Sequence, residues 1–271
     1  MLWNDFVSDI SRRVVPGNPD WLLDVAGTLQ AGIAAGALTD IFNAALADQT
    51  TATRQLSFGN NGAVTLQKTP EFTINLMFFR GHLEHLYYEP VHSATVVVNE
   101  CEVEATRYCI RNPDNEAEIS NDSTLVEVSR GPLRKGDAWL TNGRDEILDL
   151  NAVDSKHPLL ATLIGSKLGG LCWTFDRKTL KAWYATSVDY EVTAMVTIAD
   201  LLGRLRDRSA LDSLVRLYDE SSHHYARWSA VKNIGRIDKG AGVEALKKAM
   251  RDRHPELRRA AERTLVRHGL L

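Results

Sequence analysis

The stretch GHLEHLYYEPVH, residues 81–92, gathers His82, Glu84, His85 and His92, all of them side chains that ligate divalent transition metals. On a β-strand, residues two apart share a face, so His82 and Glu84 would present an imidazole and a carboxylate side by side. A third ligand from His92 or from His157 would put two histidines and one carboxylate on one side of an iron ion, with positions left open for oxygen and an organic substrate. The competing reading is a solvated strand end or loop, in which histidine and glutamate need no metal. Tyr87 and Tyr88 offer different chemistry: aromatic, hydroxyl-bearing side chains suited to a small organic ligand without a metal, or equally to core and rim packing. Cys101, Cys109 and Cys172 form an odd set without C-x-x-C spacing and are expected to be reduced and mostly buried.

Such residues need a scaffold, and the middle of the chain supplies strands. RQLSF and AVTLQ flank Gly59-Asn60-Asn61-Gly62, a predicted hairpin loop. EFTINLMFF, SATVVV, CEVEATRYCI and TLVEV follow. GDAWLT and RDEILDL are joined by Asn142-Gly143, the strongest two-residue hairpin signal. LLATLIG, LCWTF and LKAWYAT close the series, the last two around Asp176-Arg177-Lys178-Thr179. So many short strands with regular turn signals predict an antiparallel sandwich or barrel. Helical crossovers of the length parallel sheets need are missing. Trp139, Trp173 and Trp183 are expected in its core. Ahead of the strands, Asp20 can cap a run in which Trp21, Leu22, Val25, Leu29 and Ile33 recur at helical spacing, and AGIAAGA predicts close packing.

The last third repeats itself. LLGRLRDRSALDSL from Leu201 and NIGRIDKGAGVEAL from Asn233 match at an offset of 32, pairing Gly203 with Gly235 and Leu214 with Leu246. A fixed period of this size predicts stacked helical units, with helices near 193–206, 209–219, 223–236, 241–251 and 255–268. Basic residues are frequent here: 16 Lys and Arg stand against 10 Asp and Glu from Thr193 onward, while the whole chain carries −3. The preceding part is therefore acidic, and the contrast favours either docking between the parts or a surface for an acidic partner. Phosphate binding needs cations aligned on one face. Glu256 and Glu262 interrupt the Arg258, Arg259, Arg263 and Arg267 series, and no aromatic residue is interleaved for base stacking, so nucleic acid is not an expected partner. Trp228 is expected either as a core anchor between repeats or, if exposed, as a contact residue.

HPELRRAAERTL resembles the HEAT-repeat signature, with proline at the helix start, arginine three residues on, then alanine and leucine. The short period is similar to that of phycobilisome-lyase-like HEAT proteins. VVVNECEVEATRY and LRKGDAWLTNGRDEILDL resemble the two motifs of the cupin superfamily, within it the cysteine-dioxygenase-like branch, which also has helices before its barrel. That resemblance implies an iron site with three histidines and a carboxylate. Aligned on Cys101, its H-x-H slot falls near Tyr87 to Pro90, its carboxylate slot near Ala94 and its last histidine slot near Glu146 or Ile147. None of these positions is a histidine, so on this register the standard site is absent and a metal-free ligand mouth with Tyr87 and Tyr88 is implied instead.

At 271 residues, 44% hydrophobic and 25% charged, the chain is ordinary globular material with no apolar run of about 20 residues for a membrane span. Its first fifteen residues lack the pattern of a secretion signal, and a cytoplasmic location is expected. The expected fold is α+β multidomain: an N-terminal helical segment at 1–53, a cupin-like antiparallel β-sandwich or barrel at 54–190, and a HEAT-like α-solenoid at 191–271. The expected function is binding and interaction. A small molecule would enter a β-domain without a cofactor at Tyr87 and Tyr88, and a protein partner would meet the repeats at Trp228, Arg258 and Arg259. The alternative is a non-haem iron oxygenase, its iron held by His82, Glu84, His85 and His92.

Overall fold

The computed structural model describes residues 1–48, 56–58, 63–79, 81, 84–112, 119–153 and 157–270. Two compact units emerge, Met1–Thr186 and Ser187–Leu271, here the β-unit and the repeat unit.

The β-unit begins with helices α1 (Trp3–Arg13), α2 (Ala26–Ala34) and α3 (Ala37–Ala47), and a 3-10 turn at Pro19–Asp24 precedes α2. The run expected from Asp20 to Ile33 is thus two pieces broken at Val25. Its cap is Asn18, whose Oδ1 accepts the Asp20 amide at 3.0 Å. Trp21, Leu22, Val25 and Leu29 are buried as their spacing requires. A Cβ on Gly32 would lie 2.2 Å from the Phe6 ring, so the absent side chain is what lets α2 rest on α1.

Twelve strands follow among the described residues: β1 (Ser57–Phe58), β2 (Ala63–Lys68), β3 (Thr73–Phe78), β4 (His85–Tyr88), β5 (Val91–Val97), β6 (Glu102–Arg111), β7 (Thr124–Arg134), β8 (Ala138–Thr141), β9 (Glu146–Ala152), β10 (Leu159–Lys167), β11 (Leu171–Asp176) and β12 (Ala182–Ser187). They form a six-stranded sheet in the order β1-β2-β3-β10-β5-β8 and two three-stranded sheets, β12-β11-β4 and β7-β6-β9. Neighbours in the large sheet run antiparallel, with Ala161 of β10 opposite both Leu76 of β3 and Val96 of β5. The loop expected at Gly59–Gly62 lies outside the described residues, although the strands flanking it do pair.

Because side chains alternate across a strand, the large sheet has two distinct faces. Ile74, Leu76, Ala94, Val96, Ala161 and Leu163 bury one face against Trp3, Phe6, Ile10, Leu22, Leu29 and Ile41 of the helical layer. The other face carries Met77, Ser93, Thr95, Leu160, Thr162 and Ile164 toward the smaller sheets. The long apolar segment EFTINLMFF reads as it does because both faces of its strand are covered.

Asn142-Gly143 corrects the sequence expectation. β8 pairs with β5 and β9 with β6, so the dipeptide is a corner between sheets and not a two-residue hairpin. The turn closes through the Glu146 amide donating to Asn142 O at 2.9 Å. Gly143 is not among the residues at positive φ. Close packing fixes it instead, since a Cβ there would lie 2.0 Å from Val91 O.

The repeat unit contains α4 (Tyr190–Leu205), α5 (Leu211–Glu220), α6 (His224–Ile237), α7 (Lys239–Ala249) and α8 (Pro255–Arg267). These are the five helices the period predicts. Glycines stand where these helices touch. A Cβ on Gly203 would lie 2.1 Å from Asn233 Oδ1, and one on Gly242 would lie 2.4 Å from the Cα of Gly235. Leu214, Ala230, Ile234, Leu257, Ala261 and Leu265 form the buried stripe. Among the described residues no single helix is long and apolar enough to cross a membrane; α2 and α3 pass that test only together, with a bend of 57° between them.

Candidate functional site

A cavity of about 270 Å³ lies in the β-unit against the second face of the large sheet. β3 and β10 contribute Met77, Leu160, Thr162 and Ile164, while β5 and β8 contribute Ser93, Thr95 and Thr141. β4 supplies His85, Leu86 and Tyr87, and β9 supplies Glu146 through Leu150. The walls are thus mostly aliphatic, with a few polar groups, as in sites for small organic molecules.

Two of the cavity's carboxylates, Asp149 and Glu146, are already engaged. Asp149 is 4% exposed and takes a bidentate pair from Arg177, at 2.5 Å from Nη1 and 2.8 Å from Nη2. Glu146 accepts the Asn142 amide at 2.9 Å and stands 3.5 Å from Arg107. Two other polar atoms at the cavity have no partner: His85 Nδ1 and Thr141 Oγ1 are buried without a hydrogen bond. An unpaired buried polar atom costs roughly 1–3 kcal/mol, so a ligand that satisfies it recovers that energy.

At the rim, the Trp183 ring leans on His85 with centroids 4.8 Å apart, and Tyr184 packs edge-on against Trp183 at 5.2 Å. Trp183 was expected in the core and is instead 59% exposed. It lies on β12, outermost in its small sheet. Trp173 is buried as expected, and Trp139 packs at the margin of a second core cluster.

The expected ligand residues separate. Tyr87 lines the cavity and is half exposed. Tyr88 is buried, with its hydroxyl 2.9 Å from Gly143 O and 3.1 Å from Arg144 O. Burial, with the charges of Asp145 and Cys172 added, pushes this hydroxyl up to about 12. Tyr88 therefore pins the β8–β9 corner and is not a ligand residue.

The expected metal set separates too. His82 lies outside the described residues. Glu84 is an exposed bend residue, and His157 is exposed. His92 is 1% exposed and shares a face of β5 with Ala94 and Val96, away from the cavity. Its Nδ1 accepts the Gly143 amide at 3.2 Å, which leaves Nε2 protonated and donating to Asp20 Oδ1 at 2.9 Å. Both nitrogens are used inside the protein, which removes His92 from the ligand set. Asp20 also receives Arg144 at 2.8 Å, and the Arg144 and His92 hydrogen bonds hold its carboxyl below the ordinary range. Among the described residues no three His, Cys, Asp or Glu side chains converge in the cavity; the one such cluster is in the repeat unit. Among the described residues one imidazole, His85, stands at the cavity wall and the buried acids are paired to arginine, so those residues do not by themselves make the iron centre that the sequence resemblance implies.

Sequence reasoning missed Thr141, Arg107 and the Arg177–Asp149 pair. Only Glu146 had a signal, since aligning the cupin-like motifs put the last ligand slot there and the H-x-H slot at Tyr87 to Pro90, where Tyr87 and Glu89 line the cavity. The carboxylate slot at Ala94 falls on the helix-packed face. Cys109 and Cys172 are free thiols. Burial, reinforced by Glu89, pushes the Cys172 thiol up to about 11, so it is a poor nucleophile at neutral pH.

In the repeat unit Trp228 is partly buried against Tyr218, Val231 and Leu257, closer to the anchor than to the exposed contact residue. Arg258 donates to Asp252 O at 2.8 Å and Arg253 O at 3.2 Å, and Arg259 is exposed. Other cations meet acids: Arg236 with Asp200, Arg208 with Asp238, Lys248 with Asp219. Such pairing does not make a stripe for phosphates.

Fold and cavity together define an α+β protein, antiparallel β-sheets behind N-terminal helices followed by an α-helical repeat array. Residues 178–266 match the HEAT repeats family. Solved structures similar to the chain include the hydroquinone 1,2-dioxygenase PnpCD, at 11% identity over 38% of this chain and 63% of that one, TM-score 0.29. KdgF from Halomonas sp. is similar at 10% identity over 43% and 92%, TM-score 0.28. A sugar phosphate isomerase of the cupin superfamily from Silicibacter pomeroyi is similar at 13% identity over 48% and 78%, TM-score 0.27. The chain spans under two thirds of the dioxygenase's length. No curated protein matches the chain.

Proposed function

We propose that this chain is a binding and interaction protein whose β-unit takes up a small organic molecule without a metal and whose HEAT repeats contact a protein partner. One observation carries the first half: His85 Nδ1 and Thr141 Oγ1 are buried, unpartnered and on the wall of the same cavity. The two less exposed acids around them, Glu146 and Asp149, face arginines, while Glu89 is exposed, so the preferred ligand is neutral, about one ring in size, and bears a hydroxyl or carbonyl. Tyr87 and Trp183 frame its entrance. The partner-binding half draws on the repeat architecture, which presents extended surfaces, and on Met195, Ile198, Leu201 and Leu205, an exposed apolar series along α4. We read the protein as cytoplasmic, a compartment that keeps thiols such as those of Cys109 and Cys172 reduced.

The test is a set of neutral monocyclic alcohols, phenols and amides screened by methyl NMR of Leu160 and Ile164. At least one member is expected to bind, Leu160→Trp to abolish binding by filling the cavity, and Thr141→Val to weaken it about tenfold, the loss of one hydrogen bond. No binder in the set, or binding indifferent to Leu160→Trp, overturns the reading. Iron in stoichiometric amount that disappears in His82→Ala and His85→Ala would instead favour the oxygenase alternative.

A further inference from the structure

We propose that the repeat unit carries a binding site for a divalent transition-metal ion, zinc foremost, made by His224, His254 and Glu256. One ligand atom from each lies within 4.8 Å of the others. His224 opens α6, His254 caps α8 and Glu256 is in the first turn of α8, so an ion there would tie the starts of two helices together.

Three features make this more than a chance grouping. First, the imidazoles are held against each other, ring centroids 3.7 Å apart and planes 4° from parallel, while His224 Nε2 stands 3.8 Å from Glu256 Oε2. Secondly, His254 Nδ1 is buried with no hydrogen-bond partner, a lone pair or N–H that the protein itself does not use. Thirdly, the surroundings are fixed. Asp252, two residues before His254, accepts the His254 amide at 2.8 Å and a bidentate pair from Arg227, three residues after His224. Both histidines are therefore anchored through one buried ion pair, as the backbone of a metal site must be.

Two neutral imidazoles and a carboxylate suit zinc, which takes nitrogen at about 2.0–2.1 Å and carboxylate oxygen at about 2.0–2.2 Å in a tetrahedron. Three protein ligands leave the fourth position to water or to a side chain of a partner. Parallel stacked rings cannot both aim in-plane lone pairs at one point, so binding turns one imidazole out of the stack. The positive ends of α6 and α8 oppose a cation, and the Glu256 carboxylate offsets them.

The test uses the full chain, treated with chelator and titrated with zinc chloride by calorimetry, with cobalt(II) absorption as a second readout. One zinc per chain is expected, together with the visible bands of tetrahedral cobalt and a raised Tm. Glu256→Gln and His254→Asn, the latter a residue that favours the N-cap position, are expected to weaken zinc by at least about tenfold and to lose the cobalt bands. His268→Ala, at the exposed end of α8, leaves both unchanged. Absence of zinc binding at micromolar concentration overturns the proposal, and so does binding that persists when His224→Ala and His254→Asn are combined in a chain of unaltered helicity.

Discussion

Gly143→Ala is expected to lower the melting temperature of the β-unit by roughly 6–12 °C. An alanine Cβ would lie 2.0 Å from Val91 O and 2.1 Å from Val91 C, and these are backbone atoms of a strand paired on both sides. They cannot turn aside as a side chain would, so the corner itself must move. Three interactions converge on that corner. The Gly143 amide donates to His92, the Tyr88 hydroxyl meets Gly143 O, and His92 passes the link to Asp20 beside the helical layer. Overpacking plus one lost buried hydrogen bond amounts to about 3 kcal/mol, and a unit of this size loses roughly 2–4 °C per kcal/mol. Gly131→Ala, where an added Cβ meets nothing within 4 Å, is the control. Equal melting of Gly143→Ala and wild type would refute the close-contact explanation.

Loss of the Arg227 guanidinium is the second large effect. Arg227 and Asp252 are 4% and 8% exposed, joined by bonds of 2.9 and 2.7 Å, and Arg227 Nη1 also donates to Ser221 O and Ser222 O, each at 3.0 Å. Removing one member of a buried pair strands the other, at a cost of about 3–5 kcal/mol. Arg227→Ala is therefore expected to open α6 and α8 to hydrogen–deuterium exchange while Arg236→Ala, on a more exposed ion pair, changes it little. The same pair sets an acid limb. Burial alone would raise the Asp252 carboxyl, but the Arg227 hydrogen bonds and the His254 amide bring it down to about 2 from 3.8. A carboxyl depressed in the folded state gives stability that is complete above pH 4 and is lost as pH falls toward 2. That loss is on the order of 2 kcal/mol, and Asp252→Asn should flatten the limb. An unchanged acid slope in Asp252→Asn would show that another group governs it.

What could be read from the sequence followed from what is local. The five helices of the repeat unit were legible because a 32-residue period and helical spacing are both written along the chain, and the glycines that mark the period are contact points between helices. The faces of the strands were legible from alternation, but their neighbours were not. Period two says which side a residue faces and nothing about which strand lies beside it, so β10 between β3 and β5 could not be foreseen. Asn142-Gly143 misled for a related reason: the dipeptide that suits a tight hairpin also suits a corner pressed against a distant strand. His92 looked like a ligand because its neighbours in sequence are histidine and glutamate, whereas its partner, Asp20, is 72 positions earlier. Tyr87 and Tyr88 adjoin in sequence and face opposite ways, as strand geometry demands. The Arg177–Asp149 pair left no trace, because nothing in either segment announces the other.

The large sheet also separates two kinds of selection. Residues that hold it to the helices, such as Leu76, Ala94, Val96, Ala161 and Leu163, and residues that meet the cavity, such as Met77, Ser93, Thr95, Leu160 and Thr162, alternate along the same strands without sharing a side chain. Substitutions on the cavity side can therefore alter what the cavity accepts while leaving the helical core intact. The cavity can therefore be recut from five positions on one surface without disturbing the packing that holds the sheet to the helices.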